Sequence, residues 1–348
     1  MNYWFIYTLV LVGGVGLFAL LFMLARRQLQ QSTQRRNLVE NLLVSLLMTF
    51  LTLMALELGF KLFFAQSDSF RYTLASQNWY ERYWQENSLG YRDVEWTPEK
   101  LAGKTKVMVV GDSFVAGSGI ADPKDRFSNQ LGRLLGDNYV VFNVASPGWD
   151  TVDEVEAILN YPYNPDILVL SYYLNDIEGT AYQTGAQRPP IRQTPPAWLL
   201  PLVQNSHAVN FLYWRIIRLG PQEWAEVYWN DWLKKISADP DITWRHQQEL
   251  LKIIEGAASE QIPLFVVVFP NLAAVEESQP LIQPVIDLFQ THHIPVLDVG
   301  KLLAGRDPAT TMVNTIDSHP NEAVNREVAE QLYQMISQQS QKAGAELH

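Results

Sequence analysis

The chain has 348 residues, a formal net charge of −11, no cysteine, and a hydrophobic share of 47% with 12% aromatic residues. This hydrophobic content excludes a disordered or fibrous chain. The length of the chain suffices for one large domain or two ordinary ones. The later part of the chain has no basic run. The charge balance therefore argues against a nucleic-acid partner, which clustered Lys and Arg would have to hold. The absence of cysteine excludes disulfides, thiolate catalysis and cysteine-ligated zinc.

The first apolar segment, residues 3–25, reads YWFIYTLVLVGGVGLFALLFMLA and contains no charged side chain. It exceeds the roughly 20 residues that a helix needs to cross the hydrocarbon core of a bilayer, and it predicts a membrane-spanning helix. A cleaved signal peptide is the alternative. Such a peptide has a basic start and a small-residue cleavage site, whereas this segment is preceded by MN and followed by Arg26 and Arg27.

A second apolar segment, residues 41–65, predicts a second span. The stretch between the two spans, residues 26–37, carries four arginines, and the positive-inside rule places it in the cytoplasm. Glu57 and Lys61 lie four residues apart in the order that favours a helical ion pair. The alternative is an amphipathic helix docked on the following domain, because Glu57 is costly in lipid. Residues 1–65 are interpreted as a two-helix membrane anchor.

Two spans around a cytoplasmic loop place the chain after residue 65 on the other side of the membrane. We therefore expect the main domain on the periplasmic or extracellular side. That part of the chain is acidic, so it would not bind anionic lipid by charge, and the helices must hold it at the membrane.

Short apolar runs alternate with helical patterns in the rest of the chain, after an aromatic stretch over residues 66–104 that we predict to be a linker packed on the domain. The runs are KVMVVG (106–111), YVVFNVA (139–145), DILVLSYY (166–173), PLFVVVFP (263–270) and PVLDVG (295–300). Continuous apolar runs separated by helices are typical of a parallel sheet covered on both faces. The pattern predicts a three-layer α/β domain over residues 105–342.

Residues 177–244 interrupt this alternation with a proline cluster followed by two helix-like stretches. Six of the eleven tryptophans lie in this region. One interpretation is a lid or substrate platform that touches the membrane surface, where Trp is favoured. The other is an ordinary helical insertion whose tryptophans pack against the sheet.

Residues that could take part in catalysis follow the predicted strands. Ser113 comes directly after the first strand, Gly148 after the second and Asn175 after the third, and Asp317 and His319 precede the last helix. Because the carboxyl ends of parallel strands open into one crevice, these residues can meet there.

This set is suited to nucleophilic catalysis. A serine hydroxyl needs a base to take its proton, and a histidine with a pKa near ~6.5 suits that task. A carboxylate such as Asp317 would orient the imidazole of His319. The backbone amides of Ser113 and Gly148 and the side-chain amide of Asn175 would be donors to the oxyanion that forms when an ester carbonyl is attacked.

Other kinds of site are less well supported. GDSFVAGSGI (111–120) lacks the Gly-Lys-Ser/Thr of a phosphate-binding loop and the third glycine of a dinucleotide fingerprint. His292 and His293 are adjacent and have no acid nearby to complete a metal site, so we interpret them as helix-end residues. We expect neither a metal nor an organic cofactor.

The ordered segments GDSFVAGSG, SPGWD, LND and DSHPN resemble the four blocks of the SGNH hydrolases, also called GDSL esterases and lipases. The resemblance implies a flavodoxin-like three-layer fold, with Ser113, Asp317 and His319 as the catalytic triad and Ser113, Gly148 and Asn175 as the oxyanion hole. Two positions depart from the pattern. Tyr173 stands where the third block usually has glycine, and Asp317 lies two residues before the histidine instead of three.

The resemblance implies a membrane-anchored serine esterase that removes small O-acyl groups from cell-wall or exported polysaccharide, with lipid esters as second choice of substrate. An O-acyltransferase is an alternative. Two helices are too few for an acyl-donor channel, so a transferase would require a multi-span membrane partner. The third hypothesis is a non-catalytic glycan-binding or membrane-complex subunit that keeps the SGNH fold.

Overall fold

The computed structural model describes residues 3–68, 71–189, 195–216 and 232–345. The described chain forms two compact units. One consists of the residues up to Ala65 together with Pro195–Ile216, and the other comprises the rest.

The first unit is built on a helical hairpin. Helix α1 spans Tyr3–Gln28 and α2 spans Thr33–Phe63, and both are long and apolar enough to cross a membrane. Most of their large apolar side chains are exposed. Since an exposed apolar surface of this size is unfavourable in water, the hairpin is compatible with membrane anchoring.

The second helix differs from its predicted bounds of 41–65. It begins at Thr33, and only residues 29–32 separate the two helices, so the predicted loop at 26–37 is largely helical. The reason is that Arg and Gln are good helix formers. The helical backbone therefore continues beyond the apolar segment that hydropathy detects.

Two short helices complete this unit, α9 (Leu200–Asn205) and α10 (His207–Ile216). Both come from the region that was predicted to be a single insertion, 177–244. Helix α10 packs against the end of α2, where the ring of Phe211 lies 4.8 Å from that of Phe60 and 4.6 Å from that of Phe64. Much of the second predicted helix-like stretch, 221–237, falls outside the described residues.

The second unit contains a five-stranded parallel sheet in the order β2-β1-β3-β4-β5. Its strands are β1 (Thr105–Gly111), β2 (Tyr139–Ala145), β3 (Ile167–Tyr172), β4 (Leu264–Val268) and β5 (Val296–Asp298). Each lies within one residue or two of a predicted apolar run. This order is the flavodoxin-like arrangement, so the predicted fold class is confirmed.

Helices cover both faces of this sheet because the strands are apolar on both sides. Met108 and Val110 point into one core, while Val107 and Val109 point into the other. The remaining helices are α3 (Leu74–Tyr83), α4 (Pro98–Leu101), α5 (Ser113–Ala116), α6 (Phe127–Leu135), α7 (Thr151–Asn160), α8 (Glu178–Gln183), α11 (Lys234–Ser237), α12 (Pro240–Ser259), α13 (Val275–Thr291), α14 (Val299–Leu303) and α15 (Glu322–Ala345). Helices α7, α12 and α13 border the first core, and α6, α14 and α15 border the second.

The segment predicted to be a linker, 66–104, packs closely within this unit through Arg92. The guanidinium group of Arg92 is buried and donates to the carbonyl oxygens of Gly117 at 2.7 Å and Ile120 at 2.8 Å. Trp79 and Trp84 lie over the same group. Burial, together with the nearby charge of Arg126, lowers the pKa of Arg92 to about 9. The segment therefore holds the loop that follows α5 in place.

Candidate active site

Ser113 lies where β1 turns into α5. The strand ends at Gly111, and Asp112 caps the short helix by accepting a hydrogen bond from the backbone N–H of Phe114 at 2.9 Å. Ser113 is the first residue of that helix, is half-buried and lies at the carboxyl edge of the sheet. This edge is where ligands bind in open parallel sheets.

His319 and Asp317 lie on a separate two-stranded antiparallel ribbon, β6 (Met312–Asn314) and β7 (Asp317–Pro320). Side chains two residues apart point to the same side of a strand. This geometry explains the departure from the usual spacing of three, because in an extended backbone a separation of two brings the carboxylate beside the imidazole.

The three side chains form one chain of hydrogen bonds. The Oγ of Ser113 lies 2.8 Å from Nε2 of His319, and Nδ1 of His319 lies 2.5 Å from Oδ1 of Asp317. The backbone N–H of His319 also donates to Oδ1 of Asp317 at 3.2 Å. The structure therefore brings together the nucleophile, base and acid that the sequence motifs predict.

Gly119 allows this ribbon to approach. Its φ is +82°, and a Cβ atom there would lie 2.5 Å from Val313 and 3.1 Å from Oδ2 of Asp317. Both the backbone conformation and the contact require glycine. The second glycine of the AGSG sequence thus leaves room for the carboxylate of Asp317.

Ser67 completes the surroundings of Asp317 and was not identified from the sequence. Its hydroxyl donates to Oδ2 of Asp317, the carboxylate oxygen that His319 leaves unused. Its own carbonyl oxygen accepts a hydrogen bond from Asn314 at 3.1 Å. No sequence signal marks this serine, which lies in the predicted linker and far from Asp317 along the chain.

The charges of Asp317 and His319 stabilise each other. Burial alone would raise the pKa of Asp317, but the charge of His319 and hydrogen bonds from His319 and Ser67 outweigh it and lower that pKa below its ordinary value. Burial likewise opposes the charged form of His319, yet the charges of Asp317 and Asp112 raise the pKa of its imidazole above the ordinary 6.5. Asp317 is therefore held as a carboxylate that stabilises an imidazolium.

A set of buried carboxyl groups lies near the hydrogen-bonded side chains of Ser113, His319 and Asp317. Burial raises the pKa of Asp112 to about 6, and its Oδ2 is 3.3 Å from the Ser113 hydroxyl. Burial and mutual repulsion raise the pKa values of Glu154 and Asp176 well above those of free carboxyls. Neither carboxylate oxygen of Glu154 has a hydrogen-bond partner among the described residues. Glu154 and Asp176 therefore favour the neutral acid, because their ionisation would place further negative charges beside Asp112 in the protein interior.

The two predicted oxyanion residues besides Ser113 lie on the loops beside it. Strand β1 lies between β2 and β3, so the loops that follow β2 and β3 flank the Ser113 loop. Nδ2 of Asn175 donates to the carbonyl oxygen of Trp149 at 3.0 Å, joining the two flanking loops. Gly148 adopts a φ of +84°, and no described residue accepts a hydrogen bond from its amide. The second N–H of Asn175 and the amide of Gly148 are suitable donors to an oxyanion.

Tyr173 fits the position where the resemblance leads one to expect glycine. Its φ of −129° is an ordinary extended conformation that any residue adopts. Its ring stacks on Phe114 with the ring centroids 4.3 Å apart, and Phe114 in turn lies 5.1 Å from the imidazole of His319. The substitution therefore adds an aromatic wall beside the triad and leaves Asn175 in place.

Within the described residues, no three His, Asp or Glu side chains are grouped in a way that could hold a metal ion. His293 has a φ of +59° and lies just beyond α13, at the helix end where it was predicted.

No protein-family model matches the chain. No curated protein matches it either. Solved structures that it resembles include a lipase/acylhydrolase from Enterococcus faecalis (13% identity, 68% of this chain and 96% of that chain, TM-score 0.41). A second is a carbohydrate acetylesterase family member from Sinorhizobium meliloti (18% identity, 67% of this chain and 97% of that chain, TM-score 0.34). A third is an SGNH-hydrolase family esterase (16% identity, 69% of this chain and 96% of that chain, TM-score 0.34).

Proposed function

We propose that the chain is a membrane-anchored serine ester hydrolase with Ser113 as its nucleophile. The observation that carries this proposal is the hydrogen-bonded chain from Ser113 through His319 to Asp317. A serine hydroxyl becomes nucleophilic when a base within about 3 Å can take its proton. The same three roles define serine hydrolases on unrelated folds.

In the first half of the reaction, Oγ of Ser113 bonds to the carbonyl carbon of the ester and its proton moves to Nε2 of His319. The carbonyl oxygen becomes an oxyanion, which the amides of Ser113 and Gly148 and the side chain of Asn175 stabilise. The bond from the carbonyl carbon to the alcohol oxygen then breaks. The alcohol takes the proton from His319, and the acyl group remains on Ser113.

In the second half, water attacks the acyl-enzyme and gives a proton to His319. The bond from the acyl carbon to Oγ of Ser113 then breaks, the acyl group leaves as a carboxylic acid, and His319 returns the proton to Oγ. Asp317 stays ionised throughout and stabilises the imidazolium twice in each cycle. Its full burial and low pKa suit this role.

The α1–α2 hairpin is the proposed anchor, and the catalytic unit is proposed to face the periplasm or the cell exterior. This orientation is supported by the arginines, which lie at the ends of the helices that meet in the turn at residues 29–32. A cysteine introduced at Gln31 of the cysteine-free chain should react in intact cells only after permeabilisation, whereas one at the exposed Leu159 should react with an impermeant maleimide throughout.

Small O-acyl groups on cell-wall or exported polysaccharide are the proposed substrates. The support is the set of motif blocks described above, together with the proposed location outside the cytoplasm, where such polymers are exposed. The half-buried Ser113 hydroxyl at an open sheet edge suits an acyl group carried on a large alcohol.

The test is release of acetate from an acetylated oligosaccharide, and of p-nitrophenol from p-nitrophenyl acetate, by the purified full chain. Ser113→Ala should lower kcat by about 10⁴-fold or more, because the nucleophile is lost. Ser88→Ala is the matched control, since Ser88 is exposed and its hydroxyl bonds Glu95 at 2.9 Å, away from the triad. Equal rates for Ser113→Ala and the unaltered chain would rule out the proposed mechanism.

A further inference from the structure

A second polar cluster, formed by Tyr7, Glu57, Ser206 and His207, lies within the helical unit. The carboxylate of Glu57 is buried although α2 is otherwise largely apolar and exposed. It accepts hydrogen bonds from the hydroxyls of Tyr7 at 2.9 Å and Ser206 at 2.6 Å and from the backbone N–H of His207 at 2.7 Å. The hydroxyl of Tyr7 also lies 3.2 Å from Nδ1 of His207.

This cluster fastens α10 to the hairpin by its N-terminus. The backbone N–H of Ala208 donates to Glu57 at 3.1 Å, so the carboxylate satisfies two of the amides that a helix start leaves unpaired. Ser206 caps the same helix by accepting from the N–H of Val209 at 3.2 Å. A negative charge at a helix N-terminus is favourable, and it is most favourable where water is scarce. Glu57 therefore acts as a clamp between the second long helix and α10.

The position of the clamp along the hairpin matches a membrane boundary. At about 1.5 Å of rise per residue, α2 advances roughly 31 Å from Arg36 to Glu57, and α1 advances roughly 28 Å from Tyr7 to Arg26. Both distances equal the hydrocarbon thickness of about 30 Å. If the arginines lie at one surface of a bilayer, the clamp lies at the other.

Several large apolar side chains are exposed on α9, on α10 and in the segment just before α9. Trp198 is 78% exposed and Ile216 is 77% exposed, and Leu202 and Leu212 are also exposed. Leu212 and Ile216 are four residues apart and share one face of α10, while the opposite face carries the buried His207, Asn210 and Trp214. Exposed Trp and Leu side chains beside a polar face are typical of helices that lie in the membrane interface.

We infer that α9 and α10 form an interfacial docking element that inserts its apolar face into the headgroup and upper acyl-chain layer of the bilayer, and that Glu57 holds it there. Trp198, Leu202, Leu212 and Ile216 are exposed and belong to the same compact unit as the apolar hairpin, and the clamp lies one hydrocarbon thickness from the arginines, so lipid is the occupant that we assign to them. The inference rests on the membrane anchoring proposed above and is independent of the catalytic activity.

The test is the depth of single fluorescent labels in the full chain reconstituted into vesicles of phosphatidylcholine and phosphatidylglycerol. The chain has no cysteine, so each label is unique. Labels are attached at Leu212→Cys and Ile216→Cys, at Leu20→Cys within the first long helix, and at the exposed Leu159→Cys of the other unit. Quenching is compared between iodide in water, lipids spin-labelled near the headgroup, and lipids spin-labelled near the chain end.

We expect the labels at 212 and 216 to be quenched by the shallow spin label at least about twofold more than the label at 159, and the label at 20 to be quenched most by the deep one. Quenching of 212 and 216 by iodide alone, with 20 still in lipid, would overturn the docking element and leave the anchor intact. Quenching of 20 by iodide would overturn both. Protection of 212 and 216 from all three quenchers would show that protein covers the face, and it would also overturn the inference.

The clamp is tested by repeating the measurement in Glu57→Gln, which replaces one carboxylate oxygen that accepts hydrogen bonds with an NH2 group that can only donate. The label at 212 should shift from shallow-lipid to iodide quenching while the label at 20 keeps its depth. Ser206→Ala removes one donor and should give a smaller shift in the same direction. The control is Glu40→Gln, because Glu40 bonds the exposed side chain of Arg26 at the other end of the hairpin and no other side chain within the described residues. No shift in Glu57→Gln would contradict the role of the clamp.

Discussion

The hydroxyl of Ser67 donates a hydrogen bond to Oδ2 of Asp317, the oxygen opposite the one that holds His319. Ser67 thereby fixes the rotation of the carboxylate that bonds the imidazole of His319, the proposed base. A residue of this kind acts through the acid and touches neither the nucleophile nor the substrate.

Ser67→Ala should lower kcat by roughly 3- to 30-fold and leave KM unchanged, because only the orientation of the acid is relaxed. It should also shift the midpoint of the pH–rate profile, since one of the hydrogen bonds that lowers the pKa of Asp317 is lost. Steady-state kinetics of Ser67→Ala beside Ser88→Ala measures both effects. A loss confined to KM would show that Ser67 shapes substrate binding instead.

The pH dependence of the reaction follows from His319. The base must be neutral to take the proton of Ser113, and the pKa of His319 is raised above 6.5 by Asp317 and Asp112 despite the opposing effect of burial. The value of kcat/KM should therefore rise with pH and reach half its maximum above pH ~6.5. Asp317→Asn should move this midpoint to lower pH and reduce the maximum by about 10²- to 10⁴-fold. A rate that is flat from pH ~5 to ~9 would exclude His319 as the base.

Asn175→Ala should lower kcat by about 10²- to 10³-fold, because it removes a donor to the oxyanion. The substitution also releases the bond to Trp149, so circular dichroism and the melting temperature should be recorded alongside the rate. Asn160→Ala serves as the matched control, since Asn160 is exposed and its side chain donates to the carbonyl oxygen of Glu156 in its own helix. A rate within twofold of the control would remove Asn175 from the oxyanion hole.

Glu154 should make the fold less stable as the pH rises. Its pKa is raised in the folded state, so above the ordinary pKa of 4.5 the folded chain binds more protons than the unfolded chain. The free energy of unfolding should then fall by up to about 1.4 kcal/mol per pH unit from this group, until the pH exceeds the raised pKa.

Glu154→Gln mimics the neutral acid and should remove that part of the slope, with little loss of stability near pH 5. Chemical denaturation in detergent at several pH values measures the difference. Glu156→Gln, on the exposed side of the same helix, is the control. Parallel pH profiles for Glu154→Gln and the unaltered chain would show that Glu154 is ionised in the folded state.

The sheet, and the grouping of Ser113 with His319 and Asp317, were predictable from the sequence for physical reasons. Strands buried on both faces must be continuously apolar, so β1 and β3 stand out as Val- and Leu-rich runs. The carboxyl edge then restricts where reactive residues can lie, and Ser113 and His319 follow from that edge and the ordered motifs.

The remaining features depend on contacts between distant residues. Ser67 reaches Asp317 across 250 positions of the chain, and nothing in its local sequence distinguishes it from other serines. In the sequence, Glu57 is a charged residue within an apolar segment, where its burial in lipid would be unfavourable. Only the position of α10 shows that its carboxylate accepts hydrogen bonds from Ser206 and His207. Tyr173 looks like a defect in a motif until its ring is placed against Phe114.

The most direct test of the central claim is active-site labelling of the detergent-purified chain with a fluorophosphonate, followed by mass mapping of the adduct. Such reagents react with base-activated serines and poorly with ordinary hydroxyls. We predict one adduct, on Ser113, which is retained in Ser88→Ala and lost in His319→Ala. A folded chain that forms no adduct, or forms one equally well without His319, would contradict the assignment of Ser113 as an activated nucleophile.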